Sequence, residues 1–292
     1  MARMTTAYEP LLIVGASGML ARAFAAELAR AQLRYDALDL PELDITDRAS
    51  VAAAIGEPYR TVINCAAYTD VDGAQANPAL ADAVNGRGVG HLAERCAATG
   101  AKLVHFGTDY VFDGSGRAPY PVDHPRSPLG AYGHSKALGE ELLAASGADH
   151  LLIRTSWLYA PWGKNFVLTM RNLVLTRERV QVVDDQRGRP TSAEYLAERT
   201  LALIARQARG VFHVTDGGEC TWHELARAIA ELSSARCEVA AFSTKELGRP
   251  APRPAYSVLA LDRVEALLGP STPWRENLAR VLAAAAASGA GA

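Results

Sequence analysis

Short apolar runs alternate with longer stretches rich in Ala and Leu through the first 155 residues of the chain. The apolar runs are LLIVG (11–15), YDALD (35–39), TVINCA (61–66), KLVHFG (102–107) and LLIRTS (151–156). The runs have the length of buried strands, whereas the stretches between them favour helix. Strands that alternate with helices pair in parallel, and right-handed crossovers place helices on both faces of the sheet. The pattern therefore predicts a doubly wound α/β domain.

After Trp157 the alternation becomes less regular. The sequence predicts helices at about 163–178 and 192–208, then one more strand of the main sheet at GVFHVT (210–215). Thr221 is a suitable N-cap for the helix that follows. The proline-rich LGRPAPRPAYS (247–257) predicts an ordered surface loop, and AAAAASGAGA at the end predicts a frayed tail.

These patterns divide the chain into a main domain and a smaller lobe that is partly interleaved with it. We expect residues 1–157 to form the main domain, with 209–235 returning to its sheet. Residues 158–208 and 236–292 would form the C-terminal lobe.

Composition narrows the classes of partner. Apolar residues make up 49% of the chain, charged residues 21%, and the formal net charge is −2. This balance gives no general attraction to nucleic acid or to an anionic membrane. No apolar run reaches the roughly 18 residues of a membrane-spanning helix, and Glu9-Pro10 interrupts the apolar start of the chain. The four cysteines form no C-x-x-C pair, so we expect free thiols, no metal site and a cytoplasmic location.

A glycine turn follows the first predicted strand. In VGASGMLA, Gly15 and Gly18 stand where the backbone would turn tightly and open a helix. Such a turn lets backbone N–H groups approach a pyrophosphate. Asp39 lies 21 residues after Gly18, the usual spacing for a carboxylate that binds the adenosine ribose. A carboxylate there would repel a 2′-phosphate, which slightly favours NADH over NADPH, although Arg22 and Arg34 leave NADPH open.

YGHSK (132–136) places a tyrosine one helical turn before a lysine. Thr108 ends the fourth predicted strand, at the edge of the sheet where ligands of open α/β folds bind. Hydride transfer to a ketone leaves an alkoxide that needs a proton, which a phenol can donate. We expect the charge of Lys136 to favour the ionised form of Tyr132, and Thr108 to orient the carbonyl. An ordinary surface pair is the alternative interpretation of Tyr132 and Lys136.

Taken together, these motifs resemble those of extended short-chain dehydrogenase/reductases with a Rossmann-type sheet. More narrowly, the chain resembles the dTDP-4-dehydrorhamnose reductase family. The segments that carry this resemblance are GASGMLAR, ELDITD, VINCAAYTDVDGAQANP, GTDYVFDG, YGHSKALGE, RTSWLYA, KNFVLTM, DDQRGRPT and RPAYSVL, in the order of the family. The resemblance implies reduction of the C4 ketone of dTDP-4-dehydro-L-rhamnose by NADH or NADPH, giving dTDP-L-rhamnose. It implies an NAD(P)-binding main domain, a substrate-binding lobe, and is compatible with a homodimer.

The resemblance also implies roles for individual residues. The catalytic residues would be Thr108, Tyr132 and Lys136. The cofactor would be bound by Gly15, Gly18, Met19, Leu20, Asp39, Asp44, Ile45, Ala66, Ala67, Tyr68, Thr69, Tyr132 and Lys136. The dTDP-linked substrate would contact Thr108, Asp109, Trp157, Asn165 and Arg253.

Each of three assignments has a structural alternative. Trp157 would be a core aromatic, Asp44 a helix cap, and Asp109 a turn former. Arg253 shares with Arg187 and Arg189 a candidacy for the diphosphate of the substrate that rests on charge, and solvated loop arginines are as good an interpretation of all three.

The chain departs from the family pattern at three positions. Gly107 stands where the family usually has Ser, which predicts a looser site. Met19 replaces a common Gln in a position that acts through its backbone. Ala23 stands near the place where some members have a glutamate for magnesium, so no metal is expected.

Two other functions stay open at this point. A sugar-nucleotide dehydratase or epimerase of the same superfamily typically has Thr-Asp-Glu, whereas this chain has Thr108-Asp109-Tyr110. A catalytically silent, cofactor-binding regulatory subunit is the other alternative.

Overall fold

The computed structural model describes residues 8–56 and 59–288. Six parallel strands form the main sheet, in the order β10-β5-β4-β3-β1-β2. These strands are β1 (Leu11–Val14), β2 (Tyr35–Leu38), β3 (Thr61–Asn64), β4 (Lys102–Thr108), β5 (His150–Thr155) and β10 (Gly210–His213). The predicted doubly wound sheet is confirmed, and each predicted strand is part of it.

Helices cover both faces of this sheet. They are α1 (Met19–Arg30), α2 (Arg48–Ala54), α3 (Val71–Ala76), α4 (Pro78–Ala81), α5 (Gly88–Thr99), α6 (Ala131–Ala145) and α8 (Ala193–Ala205). Alternate residues of β1 face opposite sides: Leu11 and Ile13 pack with α1 and α8, whereas Leu12 and Val14 pack with α5. The sheet therefore separates two apolar cores, as expected for parallel strands buried on both faces.

Most of the remaining elements form the smaller lobe, whereas the helix that carries Val264 packs on the main core beside β10 and α8. The remaining elements are β6 (Leu158–Tyr159), α7 (Phe166–Thr176), β7 (Arg179–Val183), β8 (Arg187–Gly188), β9 (Thr191–Ser192), β11 (Cys220–Thr221), α9 (Trp222–Leu232), β12 (Glu238–Phe242), α10 (Thr244–Leu247), α11 (Asp262–Leu268) and α12 (Trp274–Ala287). A third core joins α7, α9 and α12 through Val174, Ile229 and Leu278, among others. Thus β10 returns to the main sheet, while α9 packs in the second lobe. The domain bounds stay a prediction.

Two local predictions can be compared with the structure. Thr221 caps α9, because its hydroxyl accepts from Glu224 N and Glu224 bonds back to the Thr221 backbone. The prediction of a frayed tail was wrong for the first part of that segment, since α12 continues to Ala287 and buries Ala285 in the third core. Residues 289–292 of that tail lie outside the described residues.

The strand register brings four strand ends to one edge of the sheet. Val14 is level with Asn64, Asn64 with His105, and Thr108 with Thr155. The carboxyl ends of β1, β3, β4 and β5 therefore meet beside the start of α6. Within the described part of the chain, no helix has the length and apolar character to cross a membrane.

Candidate active site

The glycine turn has the close approach that its sequence predicts. Gly15 adopts φ +81°, and a Cβ on it would lie 2.7 Å from the Ala66 backbone N. Gly18 N donates to Gly15 O at 3.0 Å, and Gly18 is the N-cap residue of α1. No side chain caps α1, and its first turn has no acidic residue. The N–H groups that begin α1 are thus left for an anion.

Asp39 lies against this turn. Its Oδ2 accepts from Ser17 N at 2.7 Å, and its Oδ1 accepts from Leu40 N at 2.9 Å. Partial burial alone would raise the pKa of Asp39, but the hydrogen bonds from Ser17 and Leu40 outweigh it and lower the pKa. Asp39 is therefore a fixed carboxylate beside the glycine turn, with lone pairs left over for hydroxyl donors.

The start of α1 is fixed by an indole from later in the chain. The carbonyl of Met19 accepts from Trp162 Nε1 at 3.2 Å, and Leu20 is buried in the core. Because Trp162 packs on the main core as well, it holds the first turn of α1 in place.

Asp44 and Ile45, in the segment after β2, already make hydrogen bonds within the protein. Asp44 Oδ1 accepts from the backbone N and the hydroxyl of Thr46, at 2.8 and 2.7 Å. Ile45 is buried in the core, and its carbonyl bonds to His91 Nδ1 at 3.0 Å. Asp44 is thus a turn former here, and the adenine contacts of both residues stay a prediction.

The segment after β3 forms a wall opposite the glycine turn. Ala66 N donates to Asn64 Oδ1 at 3.0 Å, and Tyr68 N donates to Asn85 Oδ1 at 2.8 Å. Ala67 and Thr69 are exposed. The buried amide of Asn85 comes from a π-helical turn at Asp82–Arg87, and no sequence motif indicated it.

Thr108, Tyr132 and Lys136 are brought together at the edge of the sheet. Thr108 is the last residue of β4, and its hydroxyl lies close enough to Tyr132 to lower the pKa of the phenol slightly. Lys136 is buried on α6, and its Nζ donates to Phe106 O on β4 at 2.6 Å. The ring of Tyr110 meets that of Tyr132 edge-on, with centroids 5.5 Å apart.

Burial shifts the pKa values of both Tyr132 and Lys136. Burial, together with the nearby charge of Asp109, raises the pKa of Tyr132 to about 12. The Thr108 hydroxyl acts in the opposite direction, and the stabilisation of the ionised phenol by Lys136 with a bound nicotinamide stays a prediction. Burial lowers the pKa of Lys136 to about 8, while Glu140 acts in the opposite direction. Near neutral pH, Tyr132 is a neutral acid and Lys136 a cation.

Asp109 is a buried carboxyl beside the acid. Its side chain is 1% exposed; Oδ1 accepts from the Thr108 hydroxyl at 3.0 Å, and Oδ2 has no hydrogen-bond partner. Burial raises the pKa of Asp109 to about 6. A buried oxygen without a partner fits a site that awaits a donor, such as a sugar hydroxyl.

Trp157 has an unusual backbone for its residue type. Its φ is +48°, and its ring stacks on Trp222 at 3.7 Å with an interplanar angle of 12°. Non-glycine residues in the left-handed region concentrate at functional sites. A Cβ on Gly188 would lie 2.7 Å from the Trp157 ring, so the indole is fixed from below as well.

The amide of Asn165 is already engaged within the protein. Its Oδ1 caps α7 by accepting from Leu168 N at 3.0 Å, and its Nδ2 donates to the carbonyls of Ala160, Trp162 and Gly163. Its contact with substrate stays a prediction.

Packing explains why a glycine stands at position 107, and the sequence did not indicate this packing. A Cβ there would lie 2.6 Å from Glu140 Oε1 and 3.0 Å from Arg154 Cγ. Glu140 is fully buried, and it accepts from Arg154 Nε at 3.0 Å and Arg154 Nη2 at 2.8 Å. The buried ion pair occupies the space of a residue 107 side chain, so the predicted loosening was wrong.

Arg253 is bound to an acid that sequence reasoning missed. Its Nη1 and Nη2 donate to the two carboxylate oxygens of Asp72, at 3.2 and 3.0 Å.

Arg187 instead faces Glu219 and Glu224 in the second lobe. Arg189 has a buried Nε without a partner, and it lines a cavity of about 520 Å³ that contains none of the residues assigned to the site.

Comparison with known proteins agrees with this geometry. The family model "RmlD substrate binding domain" matches residues 9–287. A dTDP-4-dehydrorhamnose reductase of Streptomyces griseus is 44% identical over 279 residues, covering 91% of each chain. A dTDP-4-keto-6-deoxy-D-glucose reductase of Streptomyces niveus is 41% identical, covering 91% of this chain and 94% of that protein.

A solved structure supports the same conclusion. The dTDP-4-dehydrorhamnose reductase of Bacillus anthracis, crystallised with NADP, superposes with a TM-score of 0.90 at 36% identity, covering 94% of this chain and 98% of that one. With a family model that spans nearly the whole sequence and relatives above the 40% level, the chain belongs to the dTDP-4-dehydrorhamnose reductase family of extended short-chain dehydrogenase/reductases.

Proposed function

We propose that this protein uses NADH or NADPH to reduce the C4 ketone of a dTDP-linked 4-dehydro-6-deoxysugar, and specifically dTDP-4-dehydro-L-rhamnose to dTDP-L-rhamnose. The observation that carries the proposal is the meeting of Thr108, Tyr132 and Lys136 beside the glycine turn of β1. Family membership supports the nucleotide sugar as the class of substrate.

The residues of the glycine turn fit a dinucleotide. Gly15 and Gly18 leave room for close approach, and the first N–H groups of α1, at Met19 and Leu20, would bind the pyrophosphate. Asp39 would accept from the ribose hydroxyls. The fixed carboxylate favours NADH, whereas the Bacillus anthracis relative was crystallised with NADP, so both cofactors belong in the assay.

The chemistry needs a hydride, which the nicotinamide supplies when bound. Tyr132, with a pKa of about 12, keeps its proton until the ketone oxygen gains negative charge, and then donates it. The hydroxyl of Thr108 would turn its single proton from Asp109 Oδ1 to the same oxygen and fix its direction. Lys136, held on Phe106 O, stabilises the phenolate that remains.

The substrate would fill the cleft between the lobes. The unpartnered Oδ2 of Asp109 would accept from a sugar hydroxyl, and Trp157 would form a wall of the sugar pocket. Arg253 would bind the diphosphate, and Asn165 at the start of α7 is the remaining residue assigned to the substrate. Tyr110 stands where dehydratases carry glutamate, which favours a reductase over a dehydratase.

A second substrate has support from a specific observation. The Streptomyces niveus relative, named for dTDP-4-keto-6-deoxy-D-glucose, is nearly as similar to this chain as the Streptomyces griseus relative. The two sugars differ in ring stereochemistry and share the C4 ketone, so the same catalytic residues would serve either one.

Free thiols and the cytosolic supply of reduced cofactor support a cytoplasmic reaction. A homodimer stays a prediction.

The test follows the absorbance of NADH or NADPH after addition of each dTDP-4-dehydro sugar. We expect Tyr132→Phe to lower turnover by about two to four orders of magnitude, the scale of a lost general acid, without changing cofactor affinity. Tyr35→Phe, on β2 and away from the site, is the matched control. Near-normal turnover by Tyr132→Phe would refute the assigned acid. Tight cofactor binding by the wild type without turnover of either sugar would favour the silent regulatory subunit.

A further inference from the structure

A proline-rich segment after α10 lies across the candidate active site. We call residues 248–257 the strap. On one side Pro252 packs on Gly130, the N-cap residue of α6, where a Cβ would lie 3.2 Å from the proline ring. On the other side Tyr256 N donates to Gly114 O at 3.1 Å. The strap is thus fixed on both sides of the loop that carries Tyr110.

Asp72 holds the centre of the strap. It lies on α3, and its carboxylate accepts from Ala251 N at 3.2 Å, from Arg253, and from Arg249 Nη1 at 3.1 Å. The Arg253 side chain is 15% exposed, whereas that of Arg249 is 54% exposed. The bond to Arg253 is therefore the less solvated of the two ion pairs and the better defined.

The hydrogen bonds of Arg253 use one end of its guanidinium. Nη1 donates to Asp72 Oδ1 at 3.2 Å and to Ala251 O at 3.0 Å, and Nη2 donates to Asp72 Oδ2 at 3.0 Å. A guanidinium has five N–H donors in a planar fork. The two that remain are Nε–H and the second Nη2–H, which point the same way along one edge. Neither has an acceptor among the residues that the structure describes.

This open edge belongs to an arginine close to the catalytic acid. Tyr110 lies between them, since its ring contacts that of Tyr132 and its phenol feels the charge of Arg253. Two parallel N–H groups match two oxygens of a phosphate, which is the reason arginine is preferred for bidentate recognition of oxyanions.

We propose that Asp72 is a positioning residue that binds Arg253 end-on, so that the Nε–H/Nη2–H edge is presented to the diphosphate of the nucleotide sugar. The inference rests on the proposed function. An arginine side chain that is free in solution loses about 2 kcal/mol of rotamer entropy when it is ordered. Asp72 would order Arg253 before the substrate arrives, so that this cost does not reduce the affinity.

The experiment compares Asp72→Asn, Asp72→Glu and Arg249→Gln with the wild type. Calorimetry gives the Kd for dTDP and for NADPH, and steady-state assays give kcat and KM for the dTDP-4-dehydro sugar. Asp72→Asn should raise the Kd for dTDP and the KM for the sugar about 10-fold, the equivalent of about 1.4 kcal/mol. Its kcat and its Kd for NADPH should stay within about twofold of the wild type. Asp72 contacts neither the residues assigned to the chemical step nor those assigned to the cofactor.

Two variants separate positioning from a merely structural role. Asp72→Glu keeps a carboxylate that can bind both Nη atoms, so it should recover most of the affinity for dTDP. Arg249→Gln removes the exposed ion pair and leaves the Arg253 fork intact, so it should bind dTDP like the wild type.

The outcomes are distinct. An unchanged Kd for dTDP in Asp72→Asn would overturn the inference, as would a parallel loss of NADPH affinity and kcat, which would indicate a general disturbance of the cleft. If the wild type binds dTDP but reduces neither sugar, the proposed function fails, and the dTDP Kd values still test Asp72 by themselves.

Discussion

Gly107→Ala is a small change with a cost that can be worked out from the structure. The added Cβ would lie 2.6 Å from Glu140 Oε1, 3.0 Å from Arg154 Cγ and 3.4 Å from Leu152 Cδ1. A carboxylate at the end of a flexible side chain would normally move away. Here Glu140 is fully buried and held by Arg154 through Nε and Nη2, so it has no free space to enter.

Two effects of opposite sign decide the free energy of unfolding of Gly107→Ala. Overpacking of this kind costs about 1–3 kcal/mol. Removing a glycine restricts the unfolded chain, which returns about 0.4–1 kcal/mol. We expect a net destabilisation of about 1.3 kcal/mol, within a range of about 0–2.6 kcal/mol, from the difference of these terms. The catalytic step should suffer as well, because Phe106, whose carbonyl binds Lys136, is the neighbouring residue on β4.

Urea unfolding followed by circular dichroism measures the first effect, and kcat with the dTDP-4-dehydro sugar measures the second. Gly56→Ala is the matched control, since a Cβ there meets no atom of the described residues within 4 Å, its own chain neighbours aside. That control should be neutral or slightly stabilising. A Gly107→Ala protein as stable and as active as Gly56→Ala would refute the idea that the Glu140–Arg154 pair fills the space beside β4.

Three further predictions follow from the carboxyl, amine and phenol groups described above. The kcat/KM for ketone reduction should fall above about pH 8, because the pKa of Lys136 is lowered to about 8 and its cation is lost there; a profile that is flat to about pH 9.5 would contradict this role. Asp39→Ala should shift the ratio of kcat/KM toward NADPH, since the carboxylate that repels a 2′-phosphate is gone; an unchanged ratio would exclude Asp39 as the ribose ligand. Tyr159→Phe removes the donor to buried Asp216 at 2.9 Å and should destabilise the protein by about 1–3 kcal/mol at pH 8. Burial raises the pKa of Asp216 to about 7, above its value in the unfolded chain, so the folded state favours the neutral acid and the loss should be smaller near pH 5.5 in urea unfolding.

Most of the main sheet could be predicted because its central strands are buried on both faces, whereas β2 at the edge is partly exposed. Leu11, Leu12 and Ile13 have no solvent exposure, and such runs appear in the sequence as continuous apolar segments. The parallel pair of β7 and β12 could not be found in this way. Its strands are partly exposed, mix polar with apolar residues, and lie more than 50 residues apart in the chain.

Part of the candidate site could likewise be predicted from the sequence, and part could not. Thr108, Tyr132 and Lys136 were predictable, because each has a fixed place in a local motif and the topology brings strand ends together. The pairing of Asp72 with Arg253 spans 181 residues, and no local pattern encodes it. The raised pKa of Tyr132 could not be predicted, because burial, its dominant cause, depends on the packing of the whole site.

The position of β10 at the edge of the main sheet has a consequence for how the chain is made. Its residues, Gly210–His213, follow β5 by 55 positions or more, and until they are synthesised β5 has only β4 as a neighbour. Leu151, Leu152 and Ile153 would then form an apolar, unpaired edge, the kind of surface that recruits other nascent chains. A fragment that stops near residue 157 should consequently aggregate, although it contains every catalytic residue. The protein depends on completing its second half before the first half is protected from association, which makes its folding a late event in translation.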